Sequence, residues 1–155
     1  MAIQLAKWAG AAVYTTASEL NHPYVKQLGA DVAIDYTKND FEQELRKQVP
    51  EGFDVVYDCV GGDTLKKSVS LVRENGVLVT ICDFDIETLE TPQQIKKGFV
   101  FVAPNSKQLQ QIATLFEEKK LKVPELHIFP LEKVKEAQQK SQSGHVRGKL
   151  VLTTS

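Results

Sequence analysis

Short apolar runs alternate with stretches of helical periodicity along nearly the whole chain, and no other feature constrains the fold as much. Ala11 to Thr16, Val32-Ala33-Ile34, Phe53 to Val60, Val77 to Cys82 and Gly98 to Val102 read as strands. Ala2 to Ala9 reads as the last turns of a helix ended by Gly10. Asn21-His22-Pro23 opens a second helix with Asn21 as its cap; that helix carries Tyr24, Val25 and Leu28 and stops at Gly29. Phe41, Leu45 and Val49 mark a third helix face, broken by Pro50 and Gly52. Leu65, Val69 and Val72 mark a fourth, followed by a turn at Glu74-Asn75-Gly76. Asp83 to Gln94 is polar and acidic and reads as a loop, and Leu109, Ile112, Ala113 and Phe116 form a further helical stripe. After Lys122 come an apolar run (Leu126 to Phe129), a helix (Leu131 to Gln142) and a last strand, Leu150-Val151-Leu152. Strands separated by helices of this length are βαβ units. Apolar strands without strict alternation fit a sheet covered on both faces. The expected class is α/β, a mostly parallel sheet with flanking helices.

The 155 residues suffice for one domain with a real core. A composition 42% hydrophobic and 25% charged excludes disorder. Nineteen basic against twenty acidic residues leave a net charge of -1, so no overall field draws nucleic acid, an anionic membrane or an acidic substrate. The longest uncharged stretch, Trp8 to Ser18, is too short to span a bilayer, which takes about twenty apolar residues. No basic head precedes an apolar run at Met1, so no secretory signal is read. Cys59 and Cys82 form no CxxC pattern, are expected to pack as small apolar residues, and suit a reduced, cytoplasmic compartment. His22, His127 and His145 lack ligand spacing, so no metal is expected. There is no nucleophile elbow and no paired-carboxylate signature.

A parallel α/β domain normally opens with a strand, whereas this chain opens inside a helix and contains no Gly-x-Gly-x-x-Gly. Either the fold does not bind dinucleotides, or its first strand and phosphate loop are missing. The periodicity favours neither.

Six segments decide between them by resemblance: Ala2-Ile3-Gln4-Leu5-Ala6-Lys7, Thr15-Thr16-Ala17-Ser18, Leu28-Gly29-Ala30-Asp31, Ile34-Asp35-Tyr36, the run from Phe53 to Gly62, and Ser143 to Leu152. In this order they resemble the C-terminal half of the medium-chain dehydrogenase/reductase superfamily, closest to its zinc-independent, NADPH-using quinone oxidoreductase branch. The resemblance covers essentially the whole chain. It implies a Rossmann-like sheet with the first strand and glycine-rich phosphate loop missing. Residues 1–122 would be a partial dinucleotide-binding domain, and 123–155 a segment that in the family packs back on a catalytic domain. In the strand order 3-2-1-4-5-6 the missing strand is central. Its absence leaves the strands at Ala11 and Phe53 facing across a gap, where each unpaired buried backbone group costs about 1–3 kcal/mol. The gap is then filled by self-association, filled by a partner chain supplying the missing half, or closed by rearrangement.

The same resemblance implies hydride transfer from NADPH, with NADH as the alternative, to a quinone or enone. Thr16 falls where NAD-preferring members carry a carboxylate, so Thr16 and Ser18 favour NADPH or simply start a turn. Glu19 stands where relatives often carry a base, and Asn21 and Lys38 are possible compensations. Tyr36 lies beside the adenosine phosphate in that family, or is an amphipathic residue at a sheet edge. Gly61 and Gly62 after Val60, and Cys82 on the same rim, would face the nicotinamide ribose. Phe101 and Val102 resemble the segment lining the nicotinamide pocket, or are plain core. Arg147 and Lys149 belong to a segment that folds back towards the cofactor, or are a solvated basic pair. Asp58 is structural in the family. No catalytic residue is assigned, since substrate contacts belong to the absent half. The competing reading is a non-catalytic nucleotide-binding or interaction module that self-associates through its incomplete sheet.

Overall fold

The computed structural model describes residues 1–92 and 94–154. Its helices are α1 (Ala2–Trp8), α2 (His22–Gln27), α3 (Phe41–Gln48), α4 (Gly62–Val69), α5 (Ser106–Glu117) and α6 (Val134–Gln142). Its strands are β1 (Tyr14–Thr16), β2 (Val32–Ile34), β3 (Phe53–Asp58), β4 (Val72–Thr80), β5 (Lys96–Phe99), β6 (Leu126–Pro130) and β7 (Lys149–Thr153). Every strand pairing is parallel: β1 with β2, β3 with β4 and β4 with β5, and β6 with β7. The class is α/β as the sequence implies, but the strands form three separate sheets.

Local chemistry explains most element boundaries. The Asp40 carboxylate accepts the Glu42 N–H at 3.1 Å and caps α3, whose Glu42 and Glu44 lie in the first turn and Arg46 and Lys47 in the last. Asn105 caps α5 by accepting from the Gln108 N–H at 3.0 Å. Asn21 does not cap α2. A 3-10 turn, Glu19–Asn21, runs directly into that helix, so the Asn21 backbone is already helical and its amide donates to the Ser18 hydroxyl at 3.0 Å. Of the loop expected from Asp83 to Gln94, Phe84–Thr88 winds as a 3-10 turn and Gln93 lies outside the described residues.

Four other expectations are corrected. Val72 begins β4 and does not extend α4, yet it packs in one core cluster with Leu65, Val69, Leu78 and Ile86. A strand residue at the helical spacing therefore fills the same core, and a β-branched side chain suits a strand. The turn at Glu74-Asn75-Gly76 sits inside β4. Phe53 pairs with Val72 but Val55 pairs with Val77, so Arg73–Gly76 bulge out, with Asn75 at φ 61°. A Cβ on Gly76 would lie 2.9 Å from the Arg73 carbonyl oxygen, which leaves glycine as the residue that fits. Finally, β5 starts and stops earlier than expected, because β4 ends at Thr80, the partner of Phe99. Phe101 and Val102 lie past the strand at 79% and 80% exposure and are not core. Leu109 is likewise exposed, so α5 buries Leu115 where the stripe pointed to Leu109.

The gap between β1 and β3 is open. A second core cluster, Ile34, Leu45 and Leu71, is joined by Tyr14 and Phe53, whose rings meet edge to face at 5.2 Å. Thus Leu45 of α3 ties the two sheets together from one face while their facing edges stay apart. Between those edges lies a cavity of about 270 Å3, lined on one side by Tyr14 to Thr16 and on the other by Val55 and Tyr57, both exposed. At the far end of the chain, the buried Gln4 of α1 donates to the Lys122 carbonyl at 3.0 Å and accepts the Lys122 N–H at 2.7 Å. Arg147, just before β7, is held by Glu125 at 2.7 Å and stacks over the Tyr24 ring of α2 at 5.2 Å.

Amide hydrogen exchange should read this layout directly. Val77 to Thr80, paired on both sides, should exchange slowest, and Tyr14 to Thr16, with one edge open, at least tenfold faster. Equal protection would mean the slot is closed in solution.

Candidate functional site

The strands within each sheet run the same way, and the carboxyl ends of the β1–β2 and β3–β5 sheets form two rims, the kind of edge where ligands of open parallel sheets sit. The first rim is built around Asp58, buried at the end of β3. Its carboxylate accepts the Gly61 N–H at 2.9 Å, the Val60 N–H at 3.3 Å and the Thr80 hydroxyl at 2.7 Å. Thr80 in turn accepts the Cys82 N–H at 3.1 Å. The ends of β3 and β4 are thereby locked together, and Gly61, at φ 79°, abuts Cys82 so closely that a Cβ there would lie 3.2 Å from the Cys82 Cβ. Val60, Gly61, Gly62 and Cys82 are thus brought to one place. Phe101 joins this rim through ring contacts, Phe84 with Phe99 at 4.2 Å and Phe99 with Phe101 at 6.4 Å. Val60, Phe84, Phe101 and Val102 leave an apolar, solvent-facing surface.

Cys59 and Cys82 are both exposed, contrary to the expected packing, because Cys59 follows β3 beside the slot and Cys82 lies beyond the end of β4. Partial burial of its sulfur pushes the Cys59 thiol up, away from the thiolate form a nucleophile needs. Burial likewise raises the neighbouring Tyr57 phenol.

The second rim lies at the ends of β1 and β2 and brings Thr16, Ser18, Asn21 and Tyr36 into one neighbourhood. Thr16 and Tyr36 are exposed, and the Ser18 hydroxyl already accepts from Asn21. Asp35, only 7% exposed, lies beneath them. Its Oδ1 accepts the Thr37 hydroxyl at 2.6 Å and the Thr37 N–H at 2.9 Å. These bonds, helped by Lys38, hold the Asp35 carboxyl below the usual aspartate range. Its Oδ2 has no hydrogen bond. Lys38 is engaged by Glu19 in an ion pair, and its Nζ stands 4.0 Å from Asp35 Oδ2. Sequence reasoning missed Thr80 and Asp35, a threonine in an apolar strand and an aspartate at a strand end, which carry no signal without their partners.

Residues 28–152 match the family described as zinc-binding dehydrogenase. The chain belongs to that family. It is 34% identical to the 2-methylene-furan-3-one reductase of Solanum lycopersicum over 98% of this chain and 36% of the relative. It is 32% identical to the NADPH-dependent alkenal/one oxidoreductase of Arabidopsis thaliana, again over 98% of this chain and 36% of the relative. The solved quinone oxidoreductase of Coxiella burnetii superposes on 99% of this chain and 48% of its own, with a TM-score of 0.89 and 33% identity. The chain therefore spans less than half the length of these relatives. Among the described residues no three His, Cys, Asp or Glu side chains gather as a metal site. His22 is taken by the Ala17 carbonyl, and His127 by the Arg147 carbonyl. Zinc does not fit this portion of the family fold.

Two measurements check the rims. Thr80→Val removes a donor from the buried Asp58 carboxylate and should cost about 1–3 kcal/mol in urea unfolding, with the Gly61 and Cys82 amides exchanging faster. Asp35, by NMR titration, should ionise below a free aspartate, and Thr37→Ala should move it up. Because its pKa is depressed on folding, the stability it confers is complete above the unfolded value and is lost as pH falls through the folded one.

Proposed function

We propose that this chain is the cofactor-binding half of an oxidoreductase that passes hydride from a reduced nicotinamide dinucleotide to a quinone or an α,β-unsaturated carbonyl, without zinc. The observation that carries the reading is the Asp58 lock. It holds a positive-φ glycine turn and Cys82 together on the rim of a parallel sheet, in a chain whose relatives are named for reducing enones and quinones. The dinucleotide supplies the hydride, and the protein supplies orientation and a dry pocket. Gly61 and Gly62 present backbone with no side chain in the way, Val60, Cys82, Phe101 and Val102 wall the nicotinamide end, and Thr16, Ser18, Asn21 and Tyr36 receive the adenosine end. No residue here takes a chemical role at the reacting atoms.

Residues 1–122 form the dinucleotide unit in this reading, and 123–155 the segment that reaches back to a catalytic portion. The apolar surface at Val60, Phe84, Phe101 and Val102, together with the slot between β1 and β3, is the face such a portion or a second copy of the chain would cover. Three observations bear on the phosphorylation state of the cofactor. The lack of a carboxylate at Thr16 and the Arabidopsis relative's name favour NADPH, while Glu19 favours NADH.

Reduced nicotinamide fluorescence should report binding to the purified chain, and Gly61→Val should weaken it at least tenfold through a side chain forced into a positive φ. Fluorescence that does not respond to the wild-type chain overturns the assignment. So does quinone reduction by the chain alone, which would make it more than a cofactor half.

A further inference from the structure

The slot between β1 and β3 presents backbone on both of its long walls. In a parallel ladder the N–H and C=O of one residue point to the same neighbour, and those of the next residue point the other way. On the first wall the Val13 C=O accepts from the Val32 N–H at 3.2 Å, and the Ala17 N–H donates to the Ile34 C=O at 3.0 Å. Val13, Thr15 and Ala17 are therefore turned towards β2, and Tyr14 and Thr16 into the slot. On the second wall the Asp58 C=O accepts from the Ile81 N–H at 3.2 Å, which turns Asp58 and Val56 towards β4 and Val55 and Tyr57 into the slot. Among the described residues β1 is laddered to β2 and β3 to β4, so the main-chain groups of these four residues have no strand partner. Two facing rows of donors and acceptors match one extended chain that bonds on both sides, a repeat that no small molecule offers. The walls also say what side chains that chain carries. Phe41 and Leu45 of α3, with Leu71, give the slot an apolar floor. Asp58 is the one charged side chain lining it among the described residues, and its carboxylate is already engaged by Val60, Gly61 and Thr80. An uncharged segment fits, with β-branched residues that suit both a strand and that floor.

We infer that the slot receives an extended, uncharged, β-branched segment of polypeptide from outside these 155 residues, seated between β1 and β3 and bonded to both. The inference concerns the slot alone and stands whether or not a dinucleotide binds. Two observations point to a source outside the chain. Every described strand is already paired, so a second copy could fill the slot only by giving up a ladder of its own. The relatives named above carry more than as much chain again as this one, which is ample length to supply such a segment. Once seated, the segment joins the β1–β2 and β3–β5 sheets into one. The spacing of the two rims, now set by the apolar packing around Leu45, is then set by hydrogen bonds as well.

The test titrates the purified chain with a capped peptide of about six residues, alternating valine and threonine and flanked by lysines for solubility, and with two N-methylated forms of it. One form is methylated at the odd amides and the other at the even ones, so each loses the N–H groups of one side only. The unmodified peptide should bind and slow exchange of the Tyr14, Thr16, Val55 and Tyr57 amides by at least about tenfold, leaving Thr15 and Val56 as they were. Both methylated forms should bind at least about tenfold more weakly, because a strand in the slot uses both of its sides. Val55→Pro removes one N–H that faces the slot and spares the β4 ladder, so it should weaken binding by a similar factor with little change in urea unfolding. The methylated peptides leave the protein untouched, so a folding defect in the variant cannot imitate their effect. If one methylated form binds as well as its parent, the peptide adds to a single edge and the inference fails. Absence of binding, or protection confined to the free edge of β5, also overturns it. So does slot protection that appears on concentrating the chain without peptide, which would make a second copy the occupant.

Discussion

The carboxylate of Asp58 is the point on which the rest of the first rim depends. It is buried, and it satisfies three donors drawn from two parts of the chain: the adjacent Val60 and Gly61 amides in the turn between β3 and α4, and the Thr80 hydroxyl at the end of β4. Bonds to a charged group are stronger than neutral ones, and a buried carboxylate tolerates no vacant partner cheaply. The turn at Gly61, the start of α4 and the position of Cys82 are therefore set together. The apolar side of the same ladder does the complementary work: Leu78, fully buried in β4, packs against Leu65 and Val69 of α4, so helix and sheet meet below the rim that Asp58 shapes above.

The two rims are spaced by a different kind of contact. No hydrogen-bonded ladder joins β2–β1 to β3–β4 among the described residues. What spans them is the cluster of Ile34, Leu45 and Leu71 with the Tyr14 and Phe53 rings, an apolar seam that is non-directional and tolerant of small shifts. The two rims thus sit on units whose separation is set by packing, while each unit's internal geometry is set by hydrogen bonds. The tie from α1 to Lys122 through the Gln4 amide, and the stack of Arg147 on Tyr24, fasten the C-terminal strands to the first unit.

The order of helices and parallel strands was legible in the sequence because it depends on periodicity and on breakers such as Gly10, Gly29 and Pro50, which act locally. The misreadings arose where a distant partner overrides local pattern. Val72 keeps the helical spacing of Leu65 and Val69 but follows its strand partner Phe53. Phe101 and Val102 look like strand until β4 runs out at Thr80. Asn21 has the right chemistry for a cap, yet the 3-10 turn before it takes away the backbone geometry. The rim residues Gly61, Gly62 and Tyr36 could be found by resemblance. Thr80 could not, because a hydrogen bond made across the fold leaves no trace in a single chain's spacing. Glu19 and Lys38 were visible individually, and only their pairing turns a compensating base into one already spoken for.

The slot between β1 and β3 has a thermal consequence. Its walls include the apolar faces of Tyr14, Leu45, Phe53, Val55 and Leu71, and the cavity of about 270 Å3 has room for several water molecules against them. Water beside apolar surface carries excess heat capacity, and expelling it gives a negative heat-capacity change, whichever strand or side chain takes its place. The open chain should therefore have a flatter stability curve than its filled counterpart, since it starts with more hydrated apolar surface and has less left to expose on unfolding.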